Sequence, residues 1–262
     1  MANVEVHNET DGLTRVVLNR PQVRNALTVE SVGELRDALN QTIEAGQTRA
    51  AVLHGAEGSF CAGADLSLVR AALDGEPASV LDPLVTELHQ TIRVLRSAPF
   101  PIVAAIEGFA VGAGMGLALA ADTRVADRKA QLVPGYFGIG ASPDGGVSYF
   151  LTRALGAARA TSLFVHNRAL DAATLESVGL VEELVEPGEA VPAAVEQARS
   201  LAGVPPLALT RMRRLVDEAT TNDLSDHLDA ERSAVAELWQ TNDFREGVSA
   251  FVERRTPSFT GE

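Results

Sequence analysis

Pro101-Ile102-Val103-Ala104-Ala105-Ile106-Glu107-Gly108-Phe109-Ala110-Val111-Gly112-Ala113-Gly114-Met115-Gly116 is the stretch on which the fold turns. Pro101–Glu107 is apolar almost throughout, with no alternation, the pattern of a strand buried on both faces. A glycine-rich loop, Gly108–Gly116, follows and runs into a helix. The same arrangement occurs earlier in the chain. Arg49–His54 reads as a short buried strand, and the loop after it contains Phe60-Cys61-Ala62-Gly63-Ala64-Asp65-Leu66. Glycine and alanine let a backbone turn sharply and bring its N–H groups against a ligand. Two such loops at the ends of adjacent strands can aim two donors at one oxygen, which suits a carbonyl that gains negative charge during reaction. Small residues also serve plain close packing, and spacing alone leaves both readings open. No GxGxxG opens a helix here and no Gly-Lys-Ser/Thr follows, so neither a dinucleotide fingerprint nor a P-loop is present.

Outward from this segment, strands and helices alternate. Val4–His7 and Thr14–Leu18 read as hairpin strands around Asp11-Gly12. Thr28 is the expected cap of a helix reaching about Ala45, with Val32, Leu35, Leu39 and Ile43 at helical spacing. Leu84–Arg96 is amphipathic. Strands separated by helices predict βαβ units with right-handed crossovers. Beyond Pro187 only helix is expected, around 190–202, 206–219, 225–240 and through Phe251. The chain is therefore divided into an α/β core, 1–190, and a helical C-terminal region, 191–262.

The formal net charge of −13 argues against a nucleic-acid partner, since phosphate recognition rests on clustered Lys and Arg. The single cysteine, Cys61, allows no intramolecular disulfide and fits a reducing compartment. The acidic, polar N-terminus has no signal-peptide character. The longest apolar stretch, 101–121, carries Glu107 and several glycines, unlike a bilayer span. A cytoplasmic protein with no membrane partner is expected. His7, His54, His166 and His227 show no ligand spacing, so no metal is implied.

The chain resembles the crotonase superfamily, the enoyl-CoA hydratase/isomerase family, along nearly its whole length. The matching motifs are Asn19-Arg20-Pro21 with Asn25-Ala26-Leu27, Phe60–Leu66, and Pro101–Gly108 running into Gly112-Ala113-Gly114. Further on, Pro143-Asp144-Gly145-Gly146, Leu151–Gly156, Gly179-Leu180-Val181 and the ending Glu246–Arg255 match as well. The resemblance implies a crotonase-like (ClpP/crotonase) α/β fold of repeated ββα units and an acyl-CoA substrate. It implies no separate cofactor, since coenzyme A is part of the substrate, and a homotrimer or homohexamer. Carried over by motif, Ala64 and Ala113 supply the oxyanion N–H groups, with Ala113 replacing the usual glycine. Ala62, Asp65 and Leu66 line the adenine and pantetheine channel. Arg24 and Arg254 hold the CoA phosphates, which an acidic protein needs local basic groups to do.

The hydratase pattern is broken. The two places where family hydratases carry glutamates hold Gly116 and Gly135, and glycine moves no proton. One carboxylate remains, Asp144, in a setting similar to that of superfamily isomerases. A single acid/base suffices to move a double bond, although an aspartate after proline is also a common cap for a helix over 145–155. His89 and Tyr136 fall where aryl-CoA dehalogenases carry a water-activating histidine and an aromatic beside their aspartate. Ala64 departs from the aromatic those enzymes carry in the first loop. An enzyme that shifts a double bond in an unsaturated acyl-CoA thioester through Asp144 is expected; dehalogenase-like or hydrolase chemistry on the same scaffold, and acyl-CoA binding without catalysis, are the alternatives. Glu107 and Asp122 are assigned no catalytic role.

Overall fold

The computed structural model describes residues 2–73 and 75–262. Six strands form the main sheet: β1 (Val4–Asn8), β2 (Leu13–Leu18), β3 (Ala50–Gly55), β4 (Ile102–Ile106), β6 (Thr123–Asp127) and β9 (Glu183–Val185), in the order β1-β2-β3-β4-β6-β9. The β1–β2 hairpin is antiparallel and every other neighbouring pair is parallel. A second sheet holds β5 (Phe109–Val111), β7 (Gln131–Val133) and β8 (Leu170–Asp171). The helices are α1 (Val29–Ala45), α2 (Leu66–Ala72), α3 (Pro77–Ser97), α4 (Ala113–Ala120), α5 (Val147–Leu155), α6 (Ala157–His166), α7 (Ala172–Ser177), α8 (Ala190–Leu201), α9 (Pro206–Glu218), α10 (Leu224–Leu238) and α11 (Asn242–Glu253).

The expected ββα repeat is visible in the pairing. After β3, β4 and β6 the chain makes a second short extended piece, at Cys61, Phe109–Val111 and Gln131–Val133. These pieces pair in parallel with one another, Cys61 with Ala110 and β5 with β7. Each loop of interest is therefore held by a partner beyond the main sheet.

Strand alternation sends the two faces of β3 and β4 into different cores. Leu53, Ala104 and Ile106 pack under α1, α3 and α4, while Val52, Val103 and Ala105 pack under α8. Ala190, Ala194 and Ala198 recur at four-residue spacing, so α8 lies close on the sheet. Ala190–Leu201 is thus a layer of the α/β core, whereas the sequence division at 190/191 assigned nearly all of it to the C-terminal region.

Thr28 caps α1 as expected, in a reciprocal capping box with Ser31. Helix α3 begins at Pro77 rather than Leu84 and runs through Pro83, whose missing N–H is tolerated on an exposed face. Asp122 is structural, as expected: it receives the guanidinium of the buried Arg213 at 2.5 and 2.7 Å and the N–H of Ile102 at 2.8 Å. That pair ties α9 to the sheet. Glu107 faces the first N–H groups of α8, at Ala190 and Val191, which also keeps it out of the site. Among the described residues no helix is long and apolar enough to cross a membrane.

Candidate active site

A cavity of about 230 Å³ opens where the two glycine-rich loops meet. Ala62, Gly63 and Ala64 form one side, and Val111, Gly112 and Ala113 form the other. The first loop is pinned through residue 64. Leu27 N–H donates to Gly63 O at 2.7 Å and Asp65 N–H donates to Leu27 O at 2.9 Å, the ladder of a parallel bridge centred on Ala64. In such a bridge the middle residue's own N–H points away from the partner strand, here away from Leu27. Ala113 is the first residue of α4, so its N–H has no intrahelical acceptor and lies at the positive end of the helix dipole. Among the described residues neither N–H has a hydrogen-bond partner. Gly63 lets the loops touch: a Cβ there would lie 2.7 Å from Val111 O and 3.8 Å from Ala113 N. The two unpaired donors that the sequence pointed to therefore lie on the two loops where these meet at the cavity.

Asp144 lies on the same cavity wall system, and it does not cap a helix. The residue before α5 is Gly146, and no side chain caps that end. The capping expectation fails because Gly145 and Gly146, both at positive φ, turn the chain between the carboxylate and the helix. The Asp144 carboxylate instead accepts the Tyr136 hydroxyl at 2.8 Å. Burial raises its pKa above the ordinary carboxylate value, and the Tyr136 bond works against that rise. The Tyr136 hydroxyl is pushed up by its own burial and by the adjacent carboxylate, so it remains a donor.

His89 reaches the site from α3. Its Nε2 accepts the Gly145 N–H at 3.3 Å.

The two glutamate places are closed as well as empty. A Cβ on Gly116 would stand 2.3 Å from Gly145 O, so the backbone that carries Asp144 occupies that space. Gly135 has φ +76°, and a Cβ there would meet Val111 Cγ1 at 3.0 Å. Leu81, Leu84 and Val85 of α3, with Val69 of α2 and Ile139, give the rest of the cavity an apolar lining.

The residues expected to bind CoA are split. Ala62 and Leu66 line the cavity, and Leu66 is 61% exposed. Asp65 does not line it: the carboxylate is taken by Arg20 at 3.0 Å and by the Ser67 hydroxyl and N–H, which lowers its pKa, chiefly through Ser67. Asp65 therefore braces the first loop. Arg24, at φ +53°, lies with its guanidinium over the Phe109 ring, and its carbonyl accepts the Ala62 N–H, so it borders the site and is exposed. Arg254 ends α11 in the left-handed conformation and lines no part of this cavity. Sequence reasoning missed the bracing by Arg20 and by Asn25, whose buried amide donates to Ala56 O and Ser59 O. The Asn-Arg-Pro…Asn spacing carried that signal.

Two backbone N–H groups without partners and one carboxylate thus line a single, largely apolar cavity. Comparison with known proteins gives the family. The family model for enoyl-CoA hydratase/isomerase matches residues 8–262, so the chain belongs to that family, within the crotonase superfamily. It is 34% identical to the 1,2-epoxyphenylacetyl-CoA isomerase of Escherichia coli K12, over 96% of each chain. It is 35% identical to the mitochondrial enoyl-CoA hydratase domain-containing protein 2 of Homo sapiens, over 96% of this chain and 86% of that one. Among solved structures, an enoyl-CoA hydratase from Polaromonas sp. JS666 superposes with a TM-score of 0.91 at 34% identity, covering 98% and 99% of the two chains. One from Bacillus anthracis gives 0.90 at 32% identity, covering 99% and 100%.

Proposed function

We propose that the protein shifts a double bond in an unsaturated acyl-CoA thioester, with Asp144 as the proton carrier. The observation that carries this is that, among the described residues, Asp144 is the one carboxylate lining the cavity, while the backbone of Gly145 fills the place of a first glutamate. The Ala64 and Ala113 N–H groups bind the thioester oxygen. Asp144 takes a proton from C2 of a 3-enoyl thioester, and the electron pair moves into the carbonyl to give a dienolate held by the two donors. The same carboxyl group returns the proton at C4, the double bond moves to C2–C3, and the carbonyl re-forms. Tyr136 aims the carboxylate throughout. Dehalogenase-like chemistry, in which a histidine placed like His89 activates water, is disfavoured because Nε2 of His89 accepts the Gly145 N–H.

Ala62 and Leu66 flank the pantetheine arm, and Arg24 and Arg254 take the phosphates, with CoA as part of the substrate and no separate cofactor. Exposed Val235, Trp239, Val248, Phe251 and Val252 of the C-terminal helices support a homotrimer or homohexamer, in which Arg254 reaches a neighbouring copy. A cytoplasmic setting fits the single buried thiol. Incubation with a panel of 3-enoyl-CoA thioesters tests the reaction: conjugated 2-enoyl thioester should appear by absorbance, while crotonyl-CoA is hydrated only very slowly. Efficient hydration with no isomerisation contradicts the proposal.

A further inference from the structure

Cys61 is fully buried and takes no part in the chemistry described above, yet it touches both oxyanion loops. Its N–H donates to Phe109 O and its carbonyl accepts the Val111 N–H, both at 2.9 Å, so its backbone is stitched into β5. Its Sγ accepts the N–H of Gly63, the residue before Ala64, at 3.4 Å. On the other side it packs against Gly114, the residue after Ala113. A Cβ on Gly114 would lie 2.8 Å from Sγ, 2.7 Å from Cβ and 2.5 Å from the carbonyl oxygen of Cys61. One side chain thus touches the residue before Ala64 and the residue after Ala113, and on the second side the glycine at 114 leaves it the room it occupies.

We propose, on the oxyanion-hole reading given above, that Cys61 is a positioning residue whose sulfur sets the separation and aim of the Ala64 and Ala113 N–H groups. Small displacements matter here because a misplacement of about 1 Å at a reacting centre can cost on the order of 100-fold in rate. Burial pushes the thiol up to about 12, so the sulfur stays neutral and places no negative charge beside the developing oxyanion. The role is one of shape and a single weak hydrogen bond. Serine keeps an acceptor for Gly63 in a slightly smaller volume, while alanine leaves that buried N–H unpaired and the gap between the loops unfilled.

The test needs no turnover. Butyryl-CoA carrying carbon-13 at the thioester carbonyl is bound to the protein, and its carbonyl stretch is read by infrared difference spectroscopy. Affinity is measured by calorimetry on the same samples. The wild type should lower the carbonyl frequency relative to free butyryl-CoA. Cys61→Ala should lose most of that displacement while binding CoA with affinity within about threefold of wild type, because remote contacts supply the uniform binding. Cys61→Ser should restore most of the displacement. A Cys61→Ala protein that keeps the full displacement overturns the role of Cys61 and leaves the oxyanion hole standing. Equal loss in the alanine and serine variants, tracking a lower melting temperature, also overturns it by making Cys61 a plain core residue. A wild type with no displacement removes the oxyanion reading itself, and the inference falls with it.

Discussion

The two halves of the site are built in opposite ways. The proposed oxyanion corner is made of backbone: the Ala64 and Ala113 N–H groups are fixed by strand pairing, a helix start and close glycine contacts. The proton-transfer corner is made of side chains brought from separate elements. Asp144 stands ahead of α5, Tyr136 comes from the turn after β7, and His89 comes from α3. Backbone geometry follows from the fold and is shared by any reaction through a thioester oxyanion. Side-chain geometry is what selects among those reactions, and among the described residues the cavity lining offers one carboxylate.

The largest effect should come from the proton corner. Asp144→Asn keeps the shape and removes the basic oxygen, so isomerisation should fall by roughly 100-fold or more. CoA affinity, followed by calorimetry, should be unchanged. The folded-state pKa of Asp144 is raised, so the folded protein holds a proton that the unfolded chain has already released. Its ionisation therefore opposes folding as the pH rises from the ordinary carboxylate pKa through the raised one. Asp144→Asn should melt no lower than wild type at neutral pH, and a fall in melting temperature would speak for a structural role.

Gly116→Ala attacks the boundary between the corners. The new methyl meets Gly145 O, and overpacking of this kind costs about 1–3 kcal/mol. Displacing Asp144 with it should lower turnover by about 30-fold, within the range expected for ångström-scale misplacement. Gly116→Glu should gain no hydration of crotonyl-CoA, because the carboxylate has no space to enter.

Tyr136→Phe is milder. It removes a hydrogen bond worth about 1.5–3 kcal/mol to a charged group, and turnover should drop about tenfold. The Tyr136 bond pulls the Asp144 pKa down, so its loss raises that pKa further. The base is the ionised form, so the acid limb of the pH–rate profile should move to higher pH. An unmoved limb would assign it to another group.

Arg24→Ala should be the smallest change. An exposed ion contact contributes up to about 1 kcal/mol, so KM should rise about two- to fivefold with kcat unchanged. A fall in kcat would bring Arg24 into the oxyanion corner through the Ala62 N–H that its carbonyl accepts.

The backbone corner was legible in the sequence for a physical reason. Apolar runs ending in glycine and alanine report where a buried strand stops and a backbone approaches something closely, and both loops lie where Phe60–Leu66 and Gly108–Gly116 put them. Asp144 was legible as a carboxylate but not as a non-cap, because the decisive turn depends on two successive glycines at positive φ. The contact between His89 and Gly145 joins residues 56 positions apart and leaves no local pattern. The helix over 190–202 was legible, but not its place as a layer on the sheet, because alanines at four-residue spacing do not say which surface they pack against.

Label transfer tests the central claim most directly. A 3-enoyl-CoA substrate carrying deuterium at C2 is converted, and the conjugated product is analysed by mass spectrometry and proton NMR. If Asp144 alone carries the proton, part of the label removed from C2 must reappear at C4, and Asp144→Asn must abolish that transfer. A conjugated product free of label at C4, or accumulation of 3-hydroxyacyl-CoA in its place, would contradict a single-carboxylate isomerase.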